Sequence, residues 1–256
     1  SRSADYNFGN IYMWDGAYRQ HLAALEGRLL TKLRYEDMPF FAFPIGSGSV
    51  KPAIDALTEF AAHRGYPLAI RGITEPHRAL LEAAYPGRFR FTEDRDCFDY
   101  VYSIEKLATF SGKKLHGKRN FCNRFEKEHS WEFKRLTPQL MPWCMGMLGE
   151  WHGDYGSTPD GLDDEHAAIV RGFMRWRELG LEGGALFAEG KLVGFTVGEV
   201  TSSDTFDVHF EKAFASIPGA YPMVCREFAR QIMADHPNIV YLNREDDMGH
   251  ENLRSA

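Results

Sequence analysis

The sequence predicts an α/β protein built on mixed sheets, and two observations carry that prediction. The order strand, tight turn, helix, strand occurs twice, at 39–73 and 206–245, and each is a parallel βαβ crossover. Between them three strands follow one another, with Glu189-Gly190 as a two-residue hairpin turn. A chain of 256 residues with 44% hydrophobic and 26% charged residues also has the balance of a globular protein, which excludes a disordered or fibrous one.

Taken in order, Pro39–Phe43 is a continuous apolar strand. IGSGS leads from it into a helix with Ile54, Leu57, Phe60 and Ala61 at helical spacing, Pro52 in its first turn and Gly65 at its stop. PLAIRGI (67–73) is the return strand, HRALLEAA (77–84) a short helix, and 88–103 strand material turning at TEDRD. A long helical stretch is expected from Ile104 to Lys127. WEFKRL (131–136) is a strand, and helices follow over 142–154 and 163–176, the second capped by Asp163 or Asp164. The strands 183–190, 191–200 and 204–213 come next. Tyr221, Val224, Cys225, Phe228, Ala229, Ile232 and Met233 then mark the clearest amphipathic helix, and 238–245 is the closing strand. These elements fall into two α/β halves, 1–115 and 116–256.

The formal charge is −6, which disfavours a dedicated nucleic-acid binder. Residues 111–135 run against that total, with eight Lys and Arg and three Glu. They form either a docking patch for an anionic partner or a solvated helix face. No apolar run approaches the ~18 residues of a membrane span and the start has no signal-peptide shape. Cys97, Cys122, Cys144 and Cys225 are far apart, as expected of reduced thiols. A cytoplasmic location follows as the expectation. The histidines show no ligand spacing, so no metal is expected; His152 near Asp154 is too isolated, and His250 is a candidate for the crevice wall.

In FDVHFEKA strict alternation puts Asp207, His209 and Glu211 on one face of a strand, about 6.5–7 Å apart. An imidazole between two carboxylates is biased toward its charged form and is a candidate general base for an amine or hydroxyl nucleophile. A solvent-facing strand is the plainer alternative. On the closing strand Tyr241, Asn243 and Glu245 share a face, with Arg244 on the other. Parallel neighbours joined by one helix present such residues to a shared crevice at their carboxyl ends. The turn ASIPGAYP (215–222) sits where a phosphate loop would lie, but Pro218 and Pro222 lack the N–H such a loop uses, so a diphosphate is not gripped there in the usual way. IGSGS (45–49) keeps its donors and is the better anion candidate, with tight packing as the alternative.

HFEKAFASIPGAYPMVCREFARQI, YLNREDDMGHENLR and KKLHGKRNFCNRFE, with looser agreement at NFGNIYMW, resemble the bacterial phosphatidylglycerol lysyltransferase C-terminal-domain-like family. The resemblance implies two tandem GNAT-like (acyl-CoA N-acyltransferase-like) domains, as in Fem-type aminoacyltransferases. It puts a donor between the splayed strands 206–213 and 238–245, with Gly219 and Ala220 at the cofactor-facing turn and Lys114, Lys118, Arg119 and Asn123 near the site. The turn departs from the QxxGxG/A pattern of acetyl-CoA users, which fits aminoacyl-tRNA better than acyl-CoA as donor. The membrane-embedded half of lysyl-phosphatidylglycerol synthases is missing, so a lipid head group is only one possible acceptor, beside a small molecule.

The function expected is transfer of an acyl or aminoacyl group to an amine or hydroxyl. His209 or Glu211 takes the acceptor's proton, Tyr221 donates to the leaving group, and Asp207, Asn243, Arg244 and Glu245 orient substrate. The alternatives are an acetyl-CoA-dependent N-acetyltransferase and a non-catalytic module that binds an anionic metabolite or tRNA.

Overall fold

A computed structural model describes residues 3–35, 38–154 and 162–246; His250 and the side chains of His152 and Asp154 lie outside the described residues. The chain forms two compact units. Ser1–Met13 together with Phe98–Ala256 make the larger, and Trp14–Cys97 the smaller. Helix α1 (Phe8–Met13) therefore belongs with the sequence that resumes at Phe98.

The smaller unit opens with α2 (Asp15–Tyr18) and a hairpin of β1 (His21–Leu25) and β2 (Arg28–Tyr35). Its turn is Glu26-Gly27, both at positive φ (47° and 76°), the twist a two-residue hairpin requires. β3 (Met38–Ala42) and β4 (Ile45–Gly46) both pair with β2. Helix α3 (Val50–His63) then crosses to β5 (Ile70–Arg71), which lies parallel to β3 with Phe41 opposite Ile70. This is the first expected crossover. Helix α4 (Glu75–Ala84) follows. The glycines of IGSGS serve packing: a Cβ at Gly48 would lie 1.9 Å from the Glu26 carbonyl oxygen. Arg28 donates to the carbonyls of Gly48 at 2.7 Å and Pro44 at 2.6 Å, so this turn presents its oxygens to a cation of the chain itself.

In the larger unit β6 (Val101–Ser103) leads into α5 (Ile104–Thr109) and α6 (His116–Glu128). The single helix expected over 104–127 is thus two, because Phe110 (φ 46°) and Gly112 (φ 93°) are left-handed. β7 (Trp131–Arg135), α7 (Met141–Asp154), α8 (Leu162–Met174), β8 (Glu182–Ala188), β9 (Lys191–Val200), β10 (Thr205–Ala213), α9 (Ala220–Asp235) and β11 (Tyr241–Asn243) complete it. The six strands run β6-β11-β10-β9-β8-β7, and β10 and β11 are the parallel pair. Glu189 and Gly190 form the expected hairpin turn at φ 51° and 74°.

Helix α9 is the centre of the core. Met223, Val224, Phe228, Ala229 and Ile232 are fully or almost fully buried with Phe206 and Val208 of β10 and with Ile104, Leu107 and Ala108 of α5. The boundary expected at 115/116 falls inside this unit, because β6 pairs with β11 (Tyr241 opposite Ser103) and α5 shares the α9 core. Among the tryptophans, Trp151 is a packing residue whose indole N–H donates to the Ala213 carbonyl at 3.1 Å. Cys122, Cys144 and Cys225 are buried thiols and Cys97 is exposed; none is in a disulfide. Among the described residues no helix is long and apolar enough to cross a membrane.

Gly219, the N-cap of α9, has φ 95°, and a Cβ there would lie 2.7 Å from the Phe121 carbonyl oxygen of α6. Gly219→Ala is expected to lower stability by about 1–3 kcal/mol, read as a lower urea midpoint at unchanged m.

Candidate active site

β10 and β11 pair from Thr205 opposite Tyr241 to Asp207 opposite Asn243, three residue pairs in all. The residues after these positions sit where the two strands stop being neighbours. In the same stretch the pairing of β10 with β9 slips: Val208 faces Gly198 and Phe210 faces Val197, so His209 is an inserted residue. A bulge of this kind re-aims everything after it. Asp207 and His209 therefore share one face of the sheet, while Glu211 turns to the other, beneath α9. Strict alternation, which put all three on one face, is corrected by this insertion.

The first face holds a dense group of acids around one imidazole. His209 Nδ1 is 2.8 Å from Glu245 Oε1, and Nε2 is 3.0 Å from Glu199 Oε1. Asn243 donates to Asp99 Oδ2 at 2.9 Å, and accepts from the Glu245 backbone N–H at 2.8 Å. The Ala4 N–H also reaches Asp99 Oδ2, at 3.1 Å. Helix α1 closes over Glu199 at Gly9, where a Cβ would fall 1.8 Å from Glu199 Oε1.

Burial here works against charge on every acid whose titration moves. It raises Asp207 well above the carboxylate range, reinforced by Glu245. It raises Glu245 as well, and carries Asp5 up to about 6 with help from Asp99 and Glu245. Burial pulls His209 down, but its hydrogen bonds to Glu199 and Glu245 outweigh this and lift it to about 10. At neutral pH the imidazole is a cation with both nitrogens engaged, so it is not free to accept a proton.

The opposite face carries Glu211 and Arg244, whose Nη2 donates to Glu211 Oε1 at 2.8 Å. Glu211 raises Arg244 further above its ordinary value. Lys118 of α6 is half-buried here, and burial followed by the nearby Arg244 lowers its ammonium. Cys225 is pushed up to about 12, by burial first and then by Glu211. Two groups of opposite character thus occupy the two faces of one strand gap.

The other residues expected at the site are spread. Tyr221 is the second residue of α9, half-buried against the core. Lys114 and Asn123 are exposed. Arg119 is committed to the α5–α6 corner, donating to the Phe110 carbonyl at 2.7 Å, with its other amino group 2.9 Å from His116 Nδ1. In the first turn of α9, Ala220 N–H is bonded to Ile217 O at 3.1 Å and Met223 N–H to Gly219 O at 3.0 Å, while Pro222 has none to give.

The model of the family described as "Phosphatidylglycerol lysyltransferase, C-terminal" matches residues 1–256. The chain belongs to this family. No curated protein matches it. Among solved structures it resembles a conserved protein of unknown function from Bacteroides thetaiotaomicron, with 36% identity over 99% of this chain and 85% of that one, and a TM-score of 0.92. L-PGS from Bacillus licheniformis aligns over 94% of this chain and 74% of its own at 16% identity and TM-score 0.64. FemX aligns over 97% and 86% at 8% and 0.58. At these two identities the likeness is one of fold alone.

Three of the acids in this phosphatidylglycerol lysyltransferase C-terminal family member, Asp5, Asp99 and Glu199, were not singled out by sequence. Glu199 had a usable signal, as a lone carboxylate in the apolar run KLVGFTVGEV; Asp5 and Asp99 join the group only through tertiary contact.

The titrations fix a sign for stability. Asp5 favours its proton more in the folded state than at its ordinary 3.8, so its contribution is lost as pH rises through about 6. His209 likewise contributes fully below 6.5 and loses that contribution toward about 10. Asp55 and Asp235, held low by Tyr85 and Arg135, act oppositely but only below about 4, and His77, lowered by burial, acts oppositely below its ordinary 6.5. The melting temperature in EDTA-containing buffer is expected to fall from pH 7 to 9, and Asp5→Asn to make the slope below pH 6 less negative; a midpoint rising from pH 7 to 9 would contradict the arrangement.

Proposed function

We propose that the larger unit transfers an acyl or aminoacyl group to an amine or hydroxyl acceptor, in the gap where β10 and β11 part. The observation that carries the reading is Glu211 facing Arg244 beside Lys118 across that gap, in a chain of the phosphatidylglycerol lysyltransferase C-terminal family. An attacking amine or hydroxyl must shed a proton, and the donor's carbonyl oxygen gathers negative charge as it is attacked. Glu211 is the proton acceptor. Once Glu211 is neutral, Arg244 loses its counter-charge and turns its positive field, with that of Lys118, toward the oxyanion.

His209 does not serve as the base in this scheme, since Glu199 and Glu245 hold both of its ring nitrogens. Together with Asp207, Asn243 and Glu245 it positions the end of β11, and so Arg244. Tyr221, at the start of α9, is placed in the reading as proton donor to the leaving group. Lys114 and Asn123, on the exposed side of the α6 region, contact the donor's phosphates.

An aminoacyl donor is favoured over acetyl-CoA. The first turn of α9 has spent the N–H groups of Ala220 and Met223 within the chain and has a proline at 222. Gly219 is also pressed against Phe121 and Phe125. A diphosphate needs open donors at such a turn, whereas an aminoacyl ester on tRNA does not use that grip. The family's description favours a phosphatidylglycerol head group as acceptor.

The test is transfer of labelled lysine from lysyl-tRNA to phosphatidylglycerol vesicles or to a soluble amine. Glu211→Gln is expected to cut kcat by roughly 10²–10⁴-fold, the range of a general base; full activity would remove Glu211 from the chemistry. Charge reversal at Lys114 and Lys118 is expected to weaken tRNA binding and flatten its salt dependence. A melting temperature raised by micromolar CoA would favour the acetyltransferase instead, and tRNA binding without turnover would leave a binding module.

A further inference from the structure

Asp207, His209 and Glu245 each bring one ligand atom to a common point, and these atoms lie within 4.8 Å of one another. The set is one imidazole nitrogen and two carboxylate oxygens, from Asp207 and His209 of β10 and from Glu245 just past the end of β11, 36 residues beyond His209. It lies on the sheet face opposite Glu211.

Asp207 is the decisive residue. It is 0% exposed, and among the described residues neither of its carboxylate oxygens has a hydrogen-bond partner. Burying a carboxyl group with nothing to satisfy it is costly, and native proteins seldom leave one so. Its neighbours are all engaged: Asp99 accepts from Asn243 and Ala4, while Glu199 and Glu245 hold the two ring nitrogens of His209. The unsatisfied Asp207 Oδ2 is instead 3.9 Å from His209 Nδ1.

The surroundings have the second layer that cation ligands use. A ligating histidine commonly gives its other ring N–H to a carboxylate, which fixes the ring and strengthens the ligand. His209 Nε2 and Glu199 are such a pair at 3.0 Å, leaving Nδ1 turned toward Asp207 and Glu245. Glu245 is braced in turn through its backbone N–H to Asn243, and Asn243 through Asp99. The group also brings five carboxylates, Asp5, Asp99, Glu199, Asp207 and Glu245, to one imidazole. A divalent cation offsets that charge where a single proton on the ring cannot.

We propose that the larger unit binds one divalent transition cation, Zn2+ or Mn2+, through Asp207, His209 Nδ1 and Glu245. The imidazole favours these over Mg2+, which prefers oxygen and water alone. The cation takes the place of the proton that Nδ1 shares with Glu245 and ties β10 to β11 where their backbone pairing ends. Because the readout is stoichiometry and stability, the proposal stands or falls apart from the transferase reading.

The experiment is to dialyse the protein against EDTA, reload it with Zn2+ or Mn2+ alone, remove excess ion and measure metal per chain. One equivalent is expected, with the melting temperature raised by about 5 °C at a hundredfold excess over Kd. Asp207→Asn and Glu245→Gln should abolish both effects, and Glu199→Gln should weaken affinity by roughly 10–100-fold. Asp207→Asn keeps the shape of a buried carboxyl group that has no hydrogen-bond partner, so its cation-free form should melt no lower than the wild type's. Glu211→Gln, on the opposite face, should still bind one equivalent. Less than a stoichiometric ion, no stabilisation, or retention by Asp207→Asn would overturn the site.

Discussion

One inserted residue organises the functional end of this protein. At His209 β10 gains a position that β9 does not match, and the strand's later side chains exchange faces. Without that slip, Glu211 would join Asp207 and His209 among acids already crowded together, and Arg244 would face no carboxylate. With it, one strand gap has an acid-rich face and a face with an ion pair and a lysine. The short parallel pairing of β10 and β11 matters for the same reason. Only where the strands part can side chains from both meet across a space instead of a hydrogen-bond ladder.

The two faces differ in how charge is tolerated. Beneath α9, Glu211, Arg244 and Lys118 neutralise one another in part, and Lys118 is half-buried on α6. Under α1 the acids outnumber their partners, and burial raises Asp5, Asp207 and Glu245 together. Carboxylates that are both desolvated and close to one another hold protons or attract cations, since each ionised neighbour raises the cost of the next. The carbonyls around Arg28 in the smaller unit show the opposite solution, a cation supplied by the chain itself.

Much of this was legible in the sequence. Both crossovers, the Glu189-Gly190 hairpin and α9 follow from periodicity and turn residues, because each is a local pattern. So was the placing of Asn243 and Glu245 on one side of β11 and Arg244 on the other. What was hidden was nonlocal or conformational. A bulge leaves no letter to mark it, and FDVHFEKA alternates perfectly on paper. The helix break at Phe110 depends on a left-handed residue that is not glycine. The β1–β2 hairpin had its signal in Glu26-Gly27 between alternating strands, yet no strand was expected there. Asp5 and Asp99 reach the cluster only because α1 and β6 belong to one unit.

That discontinuity bears on how the polypeptide emerges from the ribosome. Residues 1–13 are synthesised long before their partners; Ala4 waits for Asp99 and Gly9 for Glu199. The smaller unit is complete by Cys97 and has all its strands to hand, so it can gain structure first. The larger unit closes late, over long sequence separations that slow a fold. The acid cluster is therefore completed late, when residues 1–13 and the chain beyond Phe98 come together.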